Sequence, residues 1–433
     1  MAIAKDLVVP PRGMRDLLPE EVALRDRVSA AILDTYVAWG YRHIETPALE
    51  NIRNLTAGQG GDNEKLIFKV LKRGEEVQDW AKAESLDALV DLGLRFDLTV
   101  PLVRYYAHNR AKLPRLFKAI QMGPVWRAER PQRGRFRQFV QCDIDVIGSA
   151  SPLVEVELCA ATAAALEKAG FRGFTIRLND RRVLEGLARR CGFADDRFGA
   201  VFVSIDKLDK IGREGVVAEL HSHGHDAGAV GRLDAVLAGL SAPLADAEAF
   251  RAALAPAAEE APVYDGLAAI AAALRAAAGG AYRVQLDPTL VRGMGYYTGP
   301  VFEIAYKDYP FSIAGGGRYD RMIGRLLGED VPACGFSIGF ERIITILQEE
   351  AAAAAKGARR IAIIVDADAN PAQGLAEAAR LRDAGDEATL LPREKNLGRQ
   401  LKALAADGYS AFAILRAAGL GPIEPAVAEP AGG

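Results

Sequence analysis

The chain has 433 residues, 50% of them apolar and 26% charged, with a formal net charge of −3. That length exceeds one ordinary domain, and the mixture excludes a disordered or collagen-like chain. The charge excludes a bulk positive field for nucleic acid, no apolar run approaches the roughly 20 residues of a membrane span, and four scattered cysteines (Cys142, Cys159, Cys191, Cys334) without a CxxC pair argue against a disulfide framework or zinc ribbon.

The opening MAIAKDLVVPPRG meets Asp6 and Pro10 before an apolar core develops, so no signal peptide is expected and the thiols read as buried side chains in a reduced cytoplasm. Apolar spacing from Glu20 to Trp39 predicts a helix stopped by Gly40, and YRHIETPALE reads as a strand ending at Pro47. In LRFDLTV, alternation sets Arg95, Asp97 and Thr99 on one face. In PVWRAE, Arg127 and Glu129 share a face, and RAERPQRGRFR then carries five arginines against one acid. In VQCDIDV, Gln141, Asp143 and Asp145 point one way and Val140, Cys142, Ile144 and Val146 the other. One such strand is usually a solvated sheet face. Three, with an arginine-rich hairpin between two of them, favour an antiparallel sheet whose polar face is a binding floor. Arginine suits phosphate through its planar fork, although a charge run can be only a solvated face.

Residues 152–169 predict a further amphipathic helix closed by Gly170. From about 195 to 280 the character shifts, with 18 alanines among residues 241–280, and a small helical insertion carrying no chemistry is expected. His221, His223 and His225 form HxHxH there, but no carboxylate framework accompanies them, so no metal site is expected. LVRGMGYYTGPVFEI sets Arg292 beside two glycines and before Tyr296 and Tyr297. The glycines of IAGGGRYD read either as a flexible turn or as a pocket floor. PACGFSIGFERI reads as strand, Gly339 and helix, with Arg342 in the first turns, where a bound anion would offset the unfavourable dipole. Residues 346–358 read as a helix end or linker. IAIIV, a helix over Leu375–Arg382 and ATLLP then begin an α/β domain, and GLGPIEPAVAEPAGG reads as a disordered tail. No Walker A motif, GxGxxG, serine elbow or HExxH occurs.

Taken together, these segments resemble those of histidyl-tRNA synthetases, a class II aminoacyl-tRNA synthetase family. YRHIETPALE is similar to motif 1, QMGPVWRAERPQRGRFRQFVQCDID to motif 2 and PACGFSIGFERI to motif 3. LVRGMGYYTG and AGGGRYD resemble the two histidine-specific signatures. The resemblance implies an α+β catalytic domain on an antiparallel sheet over residues 1–345, with the helical insertion at about 195–280. A linker (346–358) and an abbreviated anticodon-binding-like α/β domain (359–433) would follow. It implies a histidine–tRNA ligase that activates histidine with ATP and Mg2+, releases pyrophosphate, and transfers histidine to the 3′ end of its tRNA as a cytoplasmic homodimer.

Position by position, the resemblance implies that Asp97 and Thr99 hold the α-amino group, Gln141 lies by the carboxylate, and Asp145 with Tyr296 and Tyr297 reads the imidazole. ATP would meet Arg127, Glu129, Arg135 and Arg342, with Arg292 and Arg127 catalytic at the α-phosphate. tRNA would meet Arg130, Gln132 and Arg133, and the anticodon Arg393, Lys395, Arg399 and Lys402. The family commonly has an aspartate where this chain has Gly295. RFDLTVP and QCDID belong to a eukaryote-like pattern. A regulatory subunit of ATP phosphoribosyltransferase, which shares the catalytic fold and binds histidine, is the competing reading. It needs none of Arg127, Arg292 and Arg342.

Overall fold

The computed structural model describes residues 8–56, 65–73, 85–130, 136–240, 244, 246–292, 295–354 and 359–426. It divides into two compact units, Met1–Thr345 and Ile346–Gly433.

The first unit opens with α1 (Pro19–Ala38). Pro19 takes the first helical position, where no N–H is needed, and Glu20 and Glu21 face the positive end of the dipole. Arg25, Val28, Ile32 and Tyr36 form its buried stripe, and Gly40 leaves the helix at φ +85°. The motif 1-like segment is not the single strand expected. Arg42–His43 is β1, and Leu49–Asn51 is β2 in a separate three-stranded sheet with β3 (Lys69–Leu71) and β4 (Val90–Leu94), in the order β2-β4-β3. The chain thus switches sheets across Pro47, which has no N–H to offer a ladder. A short helix, α2 (Ile52–Thr56), follows β2.

LRFDLTV departs further from expectation. Strand β4 ends at Leu94, and α3 (Thr99–Asn109) begins at Thr99. Asp97 Oδ1 accepts the Val100 N–H at 3.0 Å, so its carboxylate satisfies a donor at the helix start instead of alternating along a strand.

Strands β5 (Phe117–Trp126) and β6 (Gln138–Ile147) form a long hairpin, paired from Phe117↔Ile147 to Trp126↔Gln138. Arg127 N–H still donates to the Arg137 carbonyl at 2.8 Å, but β5 has ended, so Arg127 and Glu129 do not share a strand face. Next come α4 (Leu153–Lys168), β7 (Thr175–Asp180) and α5 (Arg181–Cys191). The insertion is helical as expected: α6 (Phe198–Ile205), α7 (Leu208–Ser222), α8 (Ala227–Gly239), α9 (Ala247–Leu254) and α10 (Ala261–Ala277). The unit closes with β8 (Arg283–Leu286), β9 (Pro300–Ala305), β10 (Ala314–Arg318), α11 (Gly324–Leu327), β11 (Ala333–Ile338) and α12 (Phe340–Ala354), within which the unit boundary falls.

The large sheet holds two of the three segments read as polar strands, in β5 and β6, in the order β1-β5-β6-β11-β10-β9-β7-β8; LRFDLTV, at the end of β4, is not part of it. This sheet is antiparallel from β5 to β7, with parallel pairs only at the two edges. The glycine run is strand β10 in its interior and not a turn. A Cβ on Gly316 would stand 2.1 Å from the Gly335 carbonyl oxygen, so the neighbouring strand requires glycine there. Arg318, at the end of β10, pins α4 to the sheet by donating to both oxygens of the buried Glu155 at 2.6 and 2.9 Å.

In the second unit, β12 (Arg360–Val365) pairs in parallel with β13 (Glu387–Pro392) and β14 (Ala411–Arg416). Helices α13 (Pro371–Asp383) and α14 (Leu397–Ala406) connect them. The start of the expected disordered tail is ordered. Gly419–Leu420 (β15) and Glu424–Pro425 (β16) both pair antiparallel with β14, and Leu420 and Ile423 pack on the apolar core there. Residues 427–433 lie outside the described residues.

Candidate active site

Above the centre of the large sheet lies a cavity of about 510 Å³. Asp97, Thr99, Arg127, Glu129, Gln141, Asp145, Arg292, Tyr296, Tyr297 and Arg342 all line it. These arrive from the start of α3, the β5–β6 hairpin, the segment before β9 and the start of α12. Arg130 is exposed and does not line it; Gln132, Arg133 and Arg135 lie outside the described residues.

One wall is acidic. Asp145 is 3% exposed and accepts the Tyr319 hydroxyl at 2.6 Å. Burial pushes its carboxyl up to about 7, the Tyr319 bond acting the other way and the charge of Asp97 adding to the rise. Opposite it in register, Gly335 leaves the room it needs, since a Cβ there would fall 2.0 Å from Asp145 Oδ1. Asp97 is also held above its ordinary value, by burial first, against its backbone hydrogen bonds and the charge of Arg127. Tyr296 and Tyr297 also line the cavity, with hydroxyls 3.2 Å apart. Burial pushes the Tyr296 phenol up to about 12, so both rings stay neutral donors at physiological pH.

Three arginines share the cavity with these groups. Arg127 Nε donates to the Phe96 carbonyl at 3.0 Å while its guanidinium lies 5.0 Å over the Phe139 ring. Arg292 Nη1 donates to Glu303 at 2.9 Å and to the Ser312 hydroxyl at 3.3 Å. Arg342 Nη1 donates to the Ser312 carbonyl at 2.5 Å. Gly315 lets Arg292 cross the sheet, because a Cβ would lie 1.8 Å from Nη2. The cavity thus brings together carboxylates fit for a cationic amine and a ring N–H and arginines fit for phosphate.

Several partners carry no role in the sequence reading. Asp143 alternates onto the same face as Gln141 and Asp145, which is a legible signal. Tyr319 and Ser312 lie beside the glycine run, whereas Glu303 meets Arg292 only once β9 pairs with β10. Glu341, next to Arg342, is clamped by Arg25 at 2.7 and 2.8 Å and accepts the Val140 N–H at 3.1 Å. The insertion, expected to carry no chemistry, brings Asp206 to the cavity edge. His225 packs edge-to-face on Phe193 at 5.6 Å, and among the described residues no group of three His, Cys, Asp or Glu could hold a metal ion. All four cysteines are buried free thiols.

A family model described as histidyl-tRNA synthetase matches residues 13–343. A histidine–tRNA ligase of Leifsonia xyli subsp. xyli is 50% identical, over 95% of this chain and 96% of its own length. A probable histidine–tRNA ligase of Tropheryma whipplei is 45% identical, over 79% of this chain and 81% of its own. The crystal structure of histidyl-tRNA synthetase from Nostoc superposes with a TM-score of 0.71 at 27% identity, covering 94% of this chain and 91% of that one. A Bacillus halodurans chain described as an ATP phosphoribosyltransferase regulatory subunit/histidyl-tRNA synthetase shares the fold, with a TM-score of 0.68 at 21% identity.

Proposed function

Given that the chain belongs to the histidyl-tRNA synthetase family, we propose that this one cavity seats histidine against its carboxylates and ATP against its arginines. The protein is a histidine–tRNA ligase of class II; histidine, ATP and histidine tRNA are its substrates. The observation that supports the seating is the convergence of Asp97, Asp145 and the tyrosine pair with Arg127, Arg292 and Arg342 on one enclosed space.

In the first half-reaction a histidine carboxylate oxygen attacks the α-phosphorus of ATP, and the bond to the bridging oxygen of pyrophosphate breaks. No proton changes hands, so the step needs placed cations and no nucleophilic side chain. Arg127 and Arg292, both tethered through other nitrogens, supply charge to the crowded phosphorus without reorganising. Asp97 and Thr99 take the α-ammonium. Asp145 accepts a ring N–H, and a tyrosine hydroxyl of the Tyr296–Tyr297 pair donates to the other ring nitrogen. A different side chain would leave these polar groups unpaired, the condition for discrimination without editing. In the second half-reaction a hydroxyl of the terminal adenosine takes the histidyl group from the adenylate, and AMP leaves.

Mg2+ fits as a companion of ATP, because such ions are held by one or two carboxylates plus phosphates, and Glu129 is a carboxylate of the cavity lining. Bound there it would neutralise charge on the leaving pyrophosphate. The second unit, with Arg393, Lys395, Arg399 and Lys402, would meet the anticodon, and Arg130, Gln132 and Arg133 other parts of the tRNA. A cytoplasmic location accords with the free thiols; no helix among the described residues is long and apolar enough to cross a membrane. A homodimer accords with the motif 1-like segment and with Leu18, Val22, Val37 and Trp39, which stay exposed on α1 and its flanks.

Histidine-dependent exchange of pyrophosphate into ATP, with no tRNA and with other amino acids as controls, tests the activation step. Exchange with histidine alone is expected. In Arg292→Ala it should fall by about 10²-fold or more while histidine binding persists. Histidine binding without exchange in the unsubstituted chain would favour the regulatory reading. Near-normal exchange in the variant would remove Arg292 from its role.

A further inference from the structure

Asp143 has no place in the scheme above, yet it is one of the most constrained groups in the cavity. It stands on β6 between Gln141 and Asp145 and is 4% exposed. Among the described residues its Oδ1 has no hydrogen-bond partner, and neither has Gln141 Oε1. The other atom of each side chain is used up on one group. Ser337, opposite Asp143 in register on β11, bonds the Asp143 carboxylate, and its hydroxyl accepts Gln141 Nε2 at 3.3 Å. Two acceptors on the cavity lining are therefore left without a donor among the described residues, and a native structure rarely leaves a buried carboxylate oxygen so. Burial, then Asp145 and Asp97, disfavour the charged form of Asp143 more than the Ser337 hydrogen bond and the charge of Arg127 favour it, and a bound cation would add to the favourable side.

The donor that fits is a primary ammonium. It carries one positive charge and three N–H donors, whereas a neutral imidazole offers one, which Asp145 can take. Asp97 already accepts the Val100 N–H and a backbone bond from Thr99, which leaves it fewer acceptor sites for an ammonium with three donors. We propose that Asp143 is a further specificity-determining residue, its unpartnered oxygen accepting a hydrogen bond from the α-ammonium of histidine beside Asp97 and Thr99. This rests on the reading of the cavity as the histidine site.

The test is titration calorimetry of the full chain and of Asp143→Asn with three ligands. These are histidine, histidinol (which keeps the amine and lacks the carboxylate) and imidazolepropionate (which keeps ring and carboxylate and lacks the amine). The expected result is a ten- to hundred-fold loss of affinity for histidine and histidinol, with imidazolepropionate unchanged. Equal weakening of all three, or of none, overturns the proposal while leaving the histidine site in place. An unsubstituted chain that binds none of the three overturns the site reading and the proposal with it. Should Asp143→Asn fail to fold, Asp143→Ser, which removes the charge from a smaller side chain, is read by the same ratios.

Discussion

At the scale of single residues, the acidic wall sets the pH response. Asp145 titrates near 7 in the folded chain against an ordinary value of 3.8. Its carboxylate accepts a ring N–H more strongly than the protonated acid does, so kcat/KM for histidine should rise as pH passes upward through about 7 and fall below it. Stability runs the other way. Between the two values the unfolded chain loses this proton first, so Asp145 makes folding less favourable as pH rises and adds no further change above about 7. Tyr319→Phe isolates the group, because it deletes the 2.6 Å bond that favours the carboxylate. The kcat/KM profile should move to higher pH by about one unit, while the titrations of free histidine stay the same in both proteins. An unmoved profile would mean that Asp145 does not govern it.

At the scale of elements, β10 is where folding and chemistry divide between adjacent glycines. A Cβ on Gly316 meets backbone, the Gly335 oxygen at 2.1 Å, and nothing there can give way. A Cβ on Gly315 meets the far end of Arg292, which can swing aside. Gly316→Ala should therefore lower stability by about 2–3 kcal/mol in urea unfolding. Gly315→Ala should stay near the parent in stability and lose pyrophosphate exchange through the displaced Arg292. Equal stability losses in the two variants would show that the difference between the two faces of β10 does not matter. Helix α4 tells the same story from the other side: its hold on the sheet runs through the Glu155–Arg318 pair, so Arg318 reads as structural although it stands among signature residues.

At the scale of the whole molecule, the exposed apolar side chains of α1 and its flanks predict association. Leu18 is 69% and Val37 53% exposed, one at each end of α1. Light scattering should return twice the chain mass, and Trp39→Glu, a partly exposed position at 37%, should shift it toward the monomer. A monomer in the unsubstituted protein at assay concentration would count against the dimer.

The order of motifs, the helical insertion, the polar face of β6 and the arginine-rich hairpin were legible in the residues alone, because periodicity and side-chain chemistry are local properties. The family resemblance built on those motifs supplied the catalytic fold class and the ten residues that line the cavity. What local pattern could not carry was the competition between alternatives of similar local fitness. The LRFDLTV alternation satisfies a strand on paper, but the Asp97 carboxylate caps Val100 and turns the chain into α3. YRHIETPALE satisfies one strand, but its two ends find partners in different sheets. The three glycines of β10 allow a turn or a strand, and the carbonyl of Gly335 and the guanidinium of Arg292 select the strand. Residues 419–425 are too poor in apolar side chains to declare a fold, yet the open edge of β14 takes them up. Tertiary structure alone decided which partner each buried polar group meets, as with Glu303 on Arg292 and Glu341 on Arg25, since those pairs are joined only when distant strands and helices close around them.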